Sequence, residues 1–362
     1  MCIRGLEEQN IMVTIKDIAK LANVSRGTVD RALNNKAGIK AETRENIINI
    51  AKALNYEPNE IGKALVLRNK IKLGFILEPI SNPFFGEILK GVNESAKELN
   101  KKGISTEVYV MNTYEEEEQI ELIRKLKKSK VNGLALTAID SENIRNELDE
   151  CETNGIKVVT CNTDITHCQR TCFIGTDHEK SARVAAELLG KLVSERGEFL
   201  VVIGYRYILA HRQRLKGFED KIREEYPSIH IRKVIEVEED DKIALSKTLE
   251  SLENIPDING IYIAGNGILG VANAIKMKNK SQLIKVIAYD YASYTVDLVK
   301  EGVIDAVICQ EPVKQGYFAL RILYDLIISG KQPKNEFLAT SIDIRLKENI
   351  DDIFDNKDFF TL

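Results

Sequence analysis

The sequence predicts an all-helical N-terminal segment followed by an α/β body of two lobes, each a doubly wound parallel sheet. Three observations carry that reading. Residues 13–58 hold three short helical patterns. From Ile71 onward, short apolar runs alternate with helical periods, as in successive βα units. The runs number nine, more than one compact sheet usually needs, and they divide into two groups at about Gly175.

In the N-terminal segment, Thr14 and Asp17 have the spacing of a capping box with Asp in place of Glu. It opens a helix with Ile15, Ile18, Ala19 and Ala22 on one face. Asn23 permits a turn, and Ser25 caps a second helix with Val29, Ala32 and Leu33 inward. "KAET" at 40–43 caps a third, carrying Ile47, Ile48, Ala51 and Leu54, which stops before Pro58. Two short helices joined by a tight turn suit a reader of the major groove of DNA. The same pattern also fits an ordinary three-helix bundle.

In the body, the first group of runs is "KLGFIL", "STEVYVM", "VNGLALTAI" and "IKVVTCN". The second is "EFLVVIG", "IRKVIEV", "NGIYIAG", "IKVIAYD" and "DAVICQ". Ligands of such folds sit at the carboxyl ends of strands. There stand Glu78, Asn82, Asn162 to Asp164, Asn266, Asp290 and Gln310. An enzyme would need a nucleophile–base pair or a metal cluster among them, and none of the four histidines falls there in a catalytic pattern. Amides and carboxylates without an evident base suit a binding cleft, although each one alone also fits a cap or a turn.

One motif points elsewhere. Gly265, Gly267 and Gly270 form G-x-G-x-x-G after an apolar run, a helical pattern follows, and Asp290 lies twenty residues further on. That spacing is the dinucleotide-binding fingerprint. Against it, several βα units precede the glycines, whereas a dinucleotide-binding domain normally opens with them.

The 362 residues are 44% hydrophobic and 29% charged, without a low-complexity tract, as in globular proteins. No apolar run approaches the ~20 residues that span a bilayer. The N-terminus lacks the apolar core of a signal peptide, so the expected location is the cytoplasm, without a membrane partner. Residues 1–12 read as a disordered extension, and Met12 is a second candidate start. The net charge of −4 is uneven: residues 13–70 hold eleven bases and six acids, while residues 71–362 carry about −8. A basic head on an acidic body points to phosphate as the head's partner. The six cysteines show no disulfide-framework spacing. Cys161, His167, Cys168, Cys172 and His178 crowd one stretch but match no usual zinc pattern, so neither metal nor cofactor is expected.

"VTIKDIAKLANVSRGTVDRALN", followed by "TRENIINIAKALNYEPN", resembles the headpiece of the LacI family of bacterial transcription regulators over almost sixty residues. The resemblance implies a DNA-binding unit at 13–58 in which Thr14 and Ser25 contact phosphate. Arg26, Gly27, Thr28, Asp30 and Arg31 then occupy the start and exposed face of the recognition helix. Arg31 is the implied base- or phosphate-reading arginine, able to grip guanine by two hydrogen bonds. Gly27 and Asp30 depart from the family's usual residues and imply an atypical operator. Residues 59–70 match the family's hinge helix and linker, with Asn59 a further DNA contact and Leu65 a wedge in the minor groove. So short a helix is marginal alone and would fold when docked on DNA, and Glu60 and Gly62 weaken it further.

Most of residues 71–346 resembles the periplasmic sugar-binding proteins and the effector domain of the same regulators. The implied first lobe is about 71–174 with 311–338, and the second about 175–310 with 339–346, leaving 347–362 as a tail. "SNPFF" at 81–85 implies Asn82 as a hydroxyl ligand and Phe84 and Phe85 as faces for a sugar ring. Arg212, in "HRQRLKGF", matches the arginine that donates to the sugar, and Asn266, Asp290 and Gln310 match further polar ligands. Asn162 and Thr163 replace the family's Asp-Arg pair, and Glu78 replaces a small polar residue. The implied ligand is therefore a neutral polyol, a different pentose or hexose, or an amine-bearing sugar.

Together these resemblances imply a repressor rather than an enzyme, a homodimer or tetramer on near-palindromic operator DNA, controlled by a small sugar or polyol. Corepression by a purine and an NADH-sensing repressor that uses Gly265, Gly267 and Gly270 remain alternative readings.

Overall fold

The computed structural model describes residues 13–33, 37–54, 56 and 71–351. The chain divides into two units, residues 1–66 and 67–362. The expected hinge, with Asn59 and Leu65, lies outside the described residues, as do the first twelve residues and most of the tail.

The first unit is three helices, α1 (Ile15–Leu21), α2 (Arg26–Leu33) and α3 (Ala41–Ala53). Ile18, Val29 and Ile47 are wholly buried at their centre, joined by Ala19, Ala32 and Ala51. Two of the three expected caps form, while Lys40 at the start of α3 makes no side-chain cap. The Asp17 carboxylate accepts from the Thr14 backbone N–H at 2.9 Å and from its hydroxyl at 2.6 Å. The Ser25 hydroxyl accepts from the Thr28 N–H at 3.1 Å, and Asn23 makes the turn with a left-handed φ of 53°.

The second unit contains two sheets. The strands of the first are β1 (Lys72–Leu77), β2 (Ser105–Val110), β3 (Gly133–Leu136), β4 (Lys157–Cys161), β5 (Cys172–Gly175) and β11 (Phe337–Ala339). Their order is β11-β5-β4-β3-β1-β2, parallel throughout. The second sheet is built from β6 (Gly197–Ile203), β7 (Ile229–Glu236), β8 (Ile258–Ile263), β9 (Lys285–Tyr289), β10 (Ala306–Cys309) and β12 (Asp343–Arg345). Its order is β12-β10-β9-β8-β6-β7.

All nine apolar runs become strands, and three more appear. The short β5, β11 and β12 have three or four residues each and carry no alternation long enough to read. The second sheet is also not purely parallel, because β12 pairs antiparallel to β10. The chain reaches β12 directly from β11 through three residues, with no helix to return it to the opposite end of the sheet.

Apolar clusters lie on both faces of each sheet. On the first, α4 (Pro83–Lys101) packs against the returning α12 (Pro312–Ser329). The contact is backbone-close: a Cβ on Gly91 would lie 2.0 Å from the Val313 carbonyl oxygen, and one on Gly316 2.2 Å from that of Ile88. The chain passes between lobes three times, after β5, at Gln310–Glu311, and between β11 and β12. In each sheet the strand order reverses, between β1 and β3 in the first and between β6 and β8 in the second. The carboxyl ends of strands beside such a reversal form a crevice.

Candidate functional site

That crevice is a cavity lined by both lobes. From the first lobe come Glu78, which directly follows β1, Asn82, Phe84 and Phe85 at the start of α4, and Asn162 and Thr163 after β4. The second lobe adds Asn266 after β8 and Asp290 after β9, and Gln310 stands at the crossing. Nine of the ten ligand residues expected from sequence are thus brought together.

Several are held by the same local devices that make their helices and turns. Asn82 is the N-cap of α4: its Oδ1 accepts from the Phe84 N–H at 3.1 Å, and Pro83 occupies the first turn. Its Nδ2 is left to face the cleft, 3.5 Å from Glu239 Oε2 of the other lobe. Phe84 and Phe85 meet edge to face, centroids 5.6 Å apart. Asn162, Glu239 and Asp290 have left-handed φ angles of 62°, 58° and 70°, so tight turns after β4, β7 and β9 aim them inward. Such conformations cost energy and cluster at binding sites.

The tenth residue, Arg212, is a correction. It stands on α8 (Leu209–Glu225), points out of the cavity, and pairs with Asp140 of the first lobe. The arginine inside is Arg214. It is 5% exposed and donates to the Ala264 carbonyl at 2.8 Å and to Gln310 Oε1 at 2.7 Å. Its guanidinium lies 3.8 Å from the centroid of Tyr289. Gln310 in turn donates to Asp290 at 2.6 Å, so cation, amide and carboxylate form one chain. Helical spacing offers the signal for Arg214: His211, Arg214, Phe218 and Ile222 form the buried stripe of α8, and Arg212 lies off it.

Glu239 is the acid that sequence reasoning missed. It sits in an acidic run that reads as a solvated helix start, and only the turn after β7 brings it inside. His211, Tyr114, Tyr291 and Tyr294 also line the cavity.

Burial governs the charge of these groups. It pushes the Glu78 carboxyl up to about 8, with the nearby Glu239 adding to the shift. Glu239 rises to about 7 by burial, restrained by the Asn266 N–H and by Arg214. Asp290 rises to about 6 by burial, restrained by Arg214 and Gln310. Burial, then Arg214, holds His211 and His178 down at about 3, so both imidazoles are neutral. Among the described residues, Asn162 Nδ2, Thr163 Oγ1 and Arg214 Nε are buried without a hydrogen-bond partner. Polar groups left that way are costly unless a ligand or water meets them.

The three fingerprint glycines have local explanations. Gly265 leaves room for the Glu239 carboxylate and the Gly204 backbone, Gly267 has a φ of 88°, and Gly270 packs against the Asp241 carbonyl. Glu239 Oε1 accepts the Asn266 N–H at 3.2 Å. A carboxylate therefore sits where a dinucleotide's pyrophosphate would need N–H groups.

In the head, Thr14, Ser25, Arg26, Gly27 and Arg31 are exposed, while Thr28 and Asp30 are half-buried. Lys16, Lys20, Asn23, Ser25 and Arg26 line a shallow surface hollow at the α1–α2 turn. Arg44 of α3 reaches the carbonyls of Arg31 and Ala32, tying the end of α2 down. Among the described residues no cluster of His, Cys, Asp or Glu is arranged to hold a metal, and no helix is long and apolar enough to cross a membrane.

Residues 14–59 match the model of bacterial regulatory proteins of the lacI family, and residues 73–332 match a periplasmic binding protein domain. The chain is 28% identical over 273 residues to the ribose operon repressor of Halalkalibacterium halodurans, covering 74% of this chain and 77% of that protein. It is 26% identical to the ribose operon repressor of Bacillus subtilis, covering 90% and 94% of the two chains. Among solved structures, AraP, an arabinose binding protein from Geobacillus stearothermophilus, is similar with a TM-score of 0.65 and 26% identity, over 78% of this chain and 98% of that one. A helix-turn-helix head, a two-lobed body with a polar cleft, and relatives that share both in one chain agree: this chain belongs to the lacI family of bacterial regulatory proteins, with a periplasmic binding protein domain as its body.

Proposed function

We propose that the chain is a cytoplasmic repressor that binds a near-palindromic operator as a homodimer, and that a small sugar or polyol held between its lobes sets operator affinity. The cavity carries this reading. It joins aromatic faces to unmet polar atoms contributed by both lobes, which is the surface a polyhydroxylated molecule satisfies. The names of the relatives, two repressors of ribose operons and an arabinose-binding protein, support the same class of ligand. In the head, exposed Arg26 and Arg31 on the second helix of the helix-turn-helix support contact with DNA.

The effector acts only through its different affinity for two lobe arrangements, which the hinge transmits to paired heads. The test is a thermal-shift screen of sugars, polyols, purines and NADH, followed by operator binding with each hit. A sugar or polyol that raises the melting temperature and changes operator affinity is the expected result. Stabilisation by NADH or a purine, with no response to any sugar or polyol, would sink the proposal.

A further inference from the structure

If the cavity is the effector site, its charges narrow the occupant, and the identity assigned to that occupant rests on this reading of the cavity. Glu78 and Glu239 come from opposite lobes and repel one another. Glu78 is 3% exposed, and among the described residues no hydrogen-bond donor reaches its carboxyl. Asp290 is a third buried carboxyl in the same space. Against three acids stands one cation, Arg214, already engaged with Ala264, Gln310 and Tyr289. The other titratable groups facing the cavity are His211, kept neutral by its burial, and the phenols of Tyr114, Tyr291 and Tyr294.

A neutral sugar leaves Glu78 and Glu239 held by protons rather than by a partner, whereas a cation lets them ionise against it. An anion would disfavour that ionisation. Independently, the unpartnered Asn162 Nδ2, Thr163 Oγ1 and Arg214 Nε call for oxygen atoms on the ligand. No cluster among the described residues has the arrangement of a metal site. The complement is an organic cation that also carries hydroxyls.

We propose that the effector is a sugar or polyol bearing a primary amine, its ammonium lying between Glu78 and Glu239 and its hydroxyls meeting Asn162, Thr163 and Arg214. An ammonium between carboxylates of opposite lobes favours the closed arrangement directly, which makes the amine both a specificity element and the closing force.

The test uses calorimetric titration of the full chain with matched sets: glucosamine, galactosamine, and 3-amino- and 6-amino-hexoses, each beside its parent sugar and its N-acetyl form. At least one amine should bind roughly ten-fold or more tightly than both of its neutral counterparts. Its binding should release protons at pH 7.5, measured in two buffers of different ionisation heat. Glu78→Gln and Glu239→Gln should each erase most of that preference, whereas Glu78→Asp, which keeps an ionisable carboxyl, should retain it. A neutral sugar that binds as tightly as its amine overturns the inference and leaves the sugar-effector reading standing. A preference that survives both Gln variants in folded protein also overturns it. Failure of every sugar, amine or neutral, overturns both.

Discussion

Arg212 and Asp140 form an ion pair that bridges the two lobes outside the cavity. Asp140 is prepared for it: burial opposes its charge, but hydrogen bonds from Thr166 and from Arg212 hold its carboxyl below the usual range. Arg212 also donates to the carbonyls of Arg206 and Tyr207, fixing the loop before α8. The pair can form only when the lobes are close, so it stabilises closure. Arg212→Ala should weaken effector binding by about three- to ten-fold, an amount in keeping with a partly exposed pair. Operator affinity without effector should hardly change. Titration calorimetry and an operator-binding assay check both, and unchanged effector affinity would deny the latch.

Arg214 should behave quite differently. It is buried, and its planar fork joins Ala264 to Gln310 while stacking on Tyr289. Lysine keeps the charge but cannot make both contacts and the stack. Arg214→Lys should lower effector affinity at least about ten-fold, or 1.4 kcal/mol. It should also lower the melting temperature, because the Ala264 carbonyl or Gln310 Oε1 is left buried without its donor.

The ligand-free protein should be most stable in mildly acidic solution. Glu78, Glu239 and Asp290 are raised to about 8, 7 and 6. Folded protein therefore keeps protons that the unfolded chain releases, and stability falls as pH rises from about 4.5 through those folded values. His178 and His211, lowered to about 3, act in the opposite direction. The unfolded chain takes up their protons below about 6.5, so stability also falls as pH drops from there. Where the two effects overlap, the three carboxyls outweigh the two imidazoles, so melting temperature against pH should pass through a maximum at about pH 4.5–5. Glu78→Gln should flatten the alkaline side, and an unchanged slope would contradict its burial as an acid.

NADH at ~1 mM should leave the melting temperature unchanged, because Glu239 already takes the Asn266 N–H that a phosphate would need. A saturable shift would contradict that.

In the head, Gly27 is open: a Cβ there would meet only Ser25 Oγ, at 3.7 Å. Gly27→Ala should stabilise α2 by about 0.5–1 kcal/mol, since glycine weakens a helix. If α2 lies close against base edges, the same change should reduce operator affinity or shift its sequence preference. Arg31→Ala should cost operator binding about 1–3 kcal/mol. Fluorescence anisotropy with operator variants and a salt series separates loss of a base contact from loss of a phosphate contact.

Periodicity made much of the fold legible. The long apolar runs became strands because an interior strand of a parallel sheet is buried on both faces and must be apolar throughout. The caps at Thr14, Ser25 and Asn82 formed because their partners lie within three residues in the chain. β5, β11 and β12 escaped notice because their pairing, not their length, makes them strands.

The sequence by itself determined the order of helices and strands, the division into a basic head and an acidic body, and most of the polar residues at strand ends. All of these depend on spacing along the chain. Only the tertiary structure decided which arginine enters the cavity, that Glu239 joins Glu78 there, and why the glycines at 265, 267 and 270 form no phosphate site. Arg214 and Arg212 are two residues apart in the same motif, yet helical rotation buries one and turns the other toward Asp140. Glu239 belongs to an acidic run, yet a left-handed turn directs it against Asn266 and Gly265. Those outcomes rest on contacts between distant segments, and local pattern does not encode them.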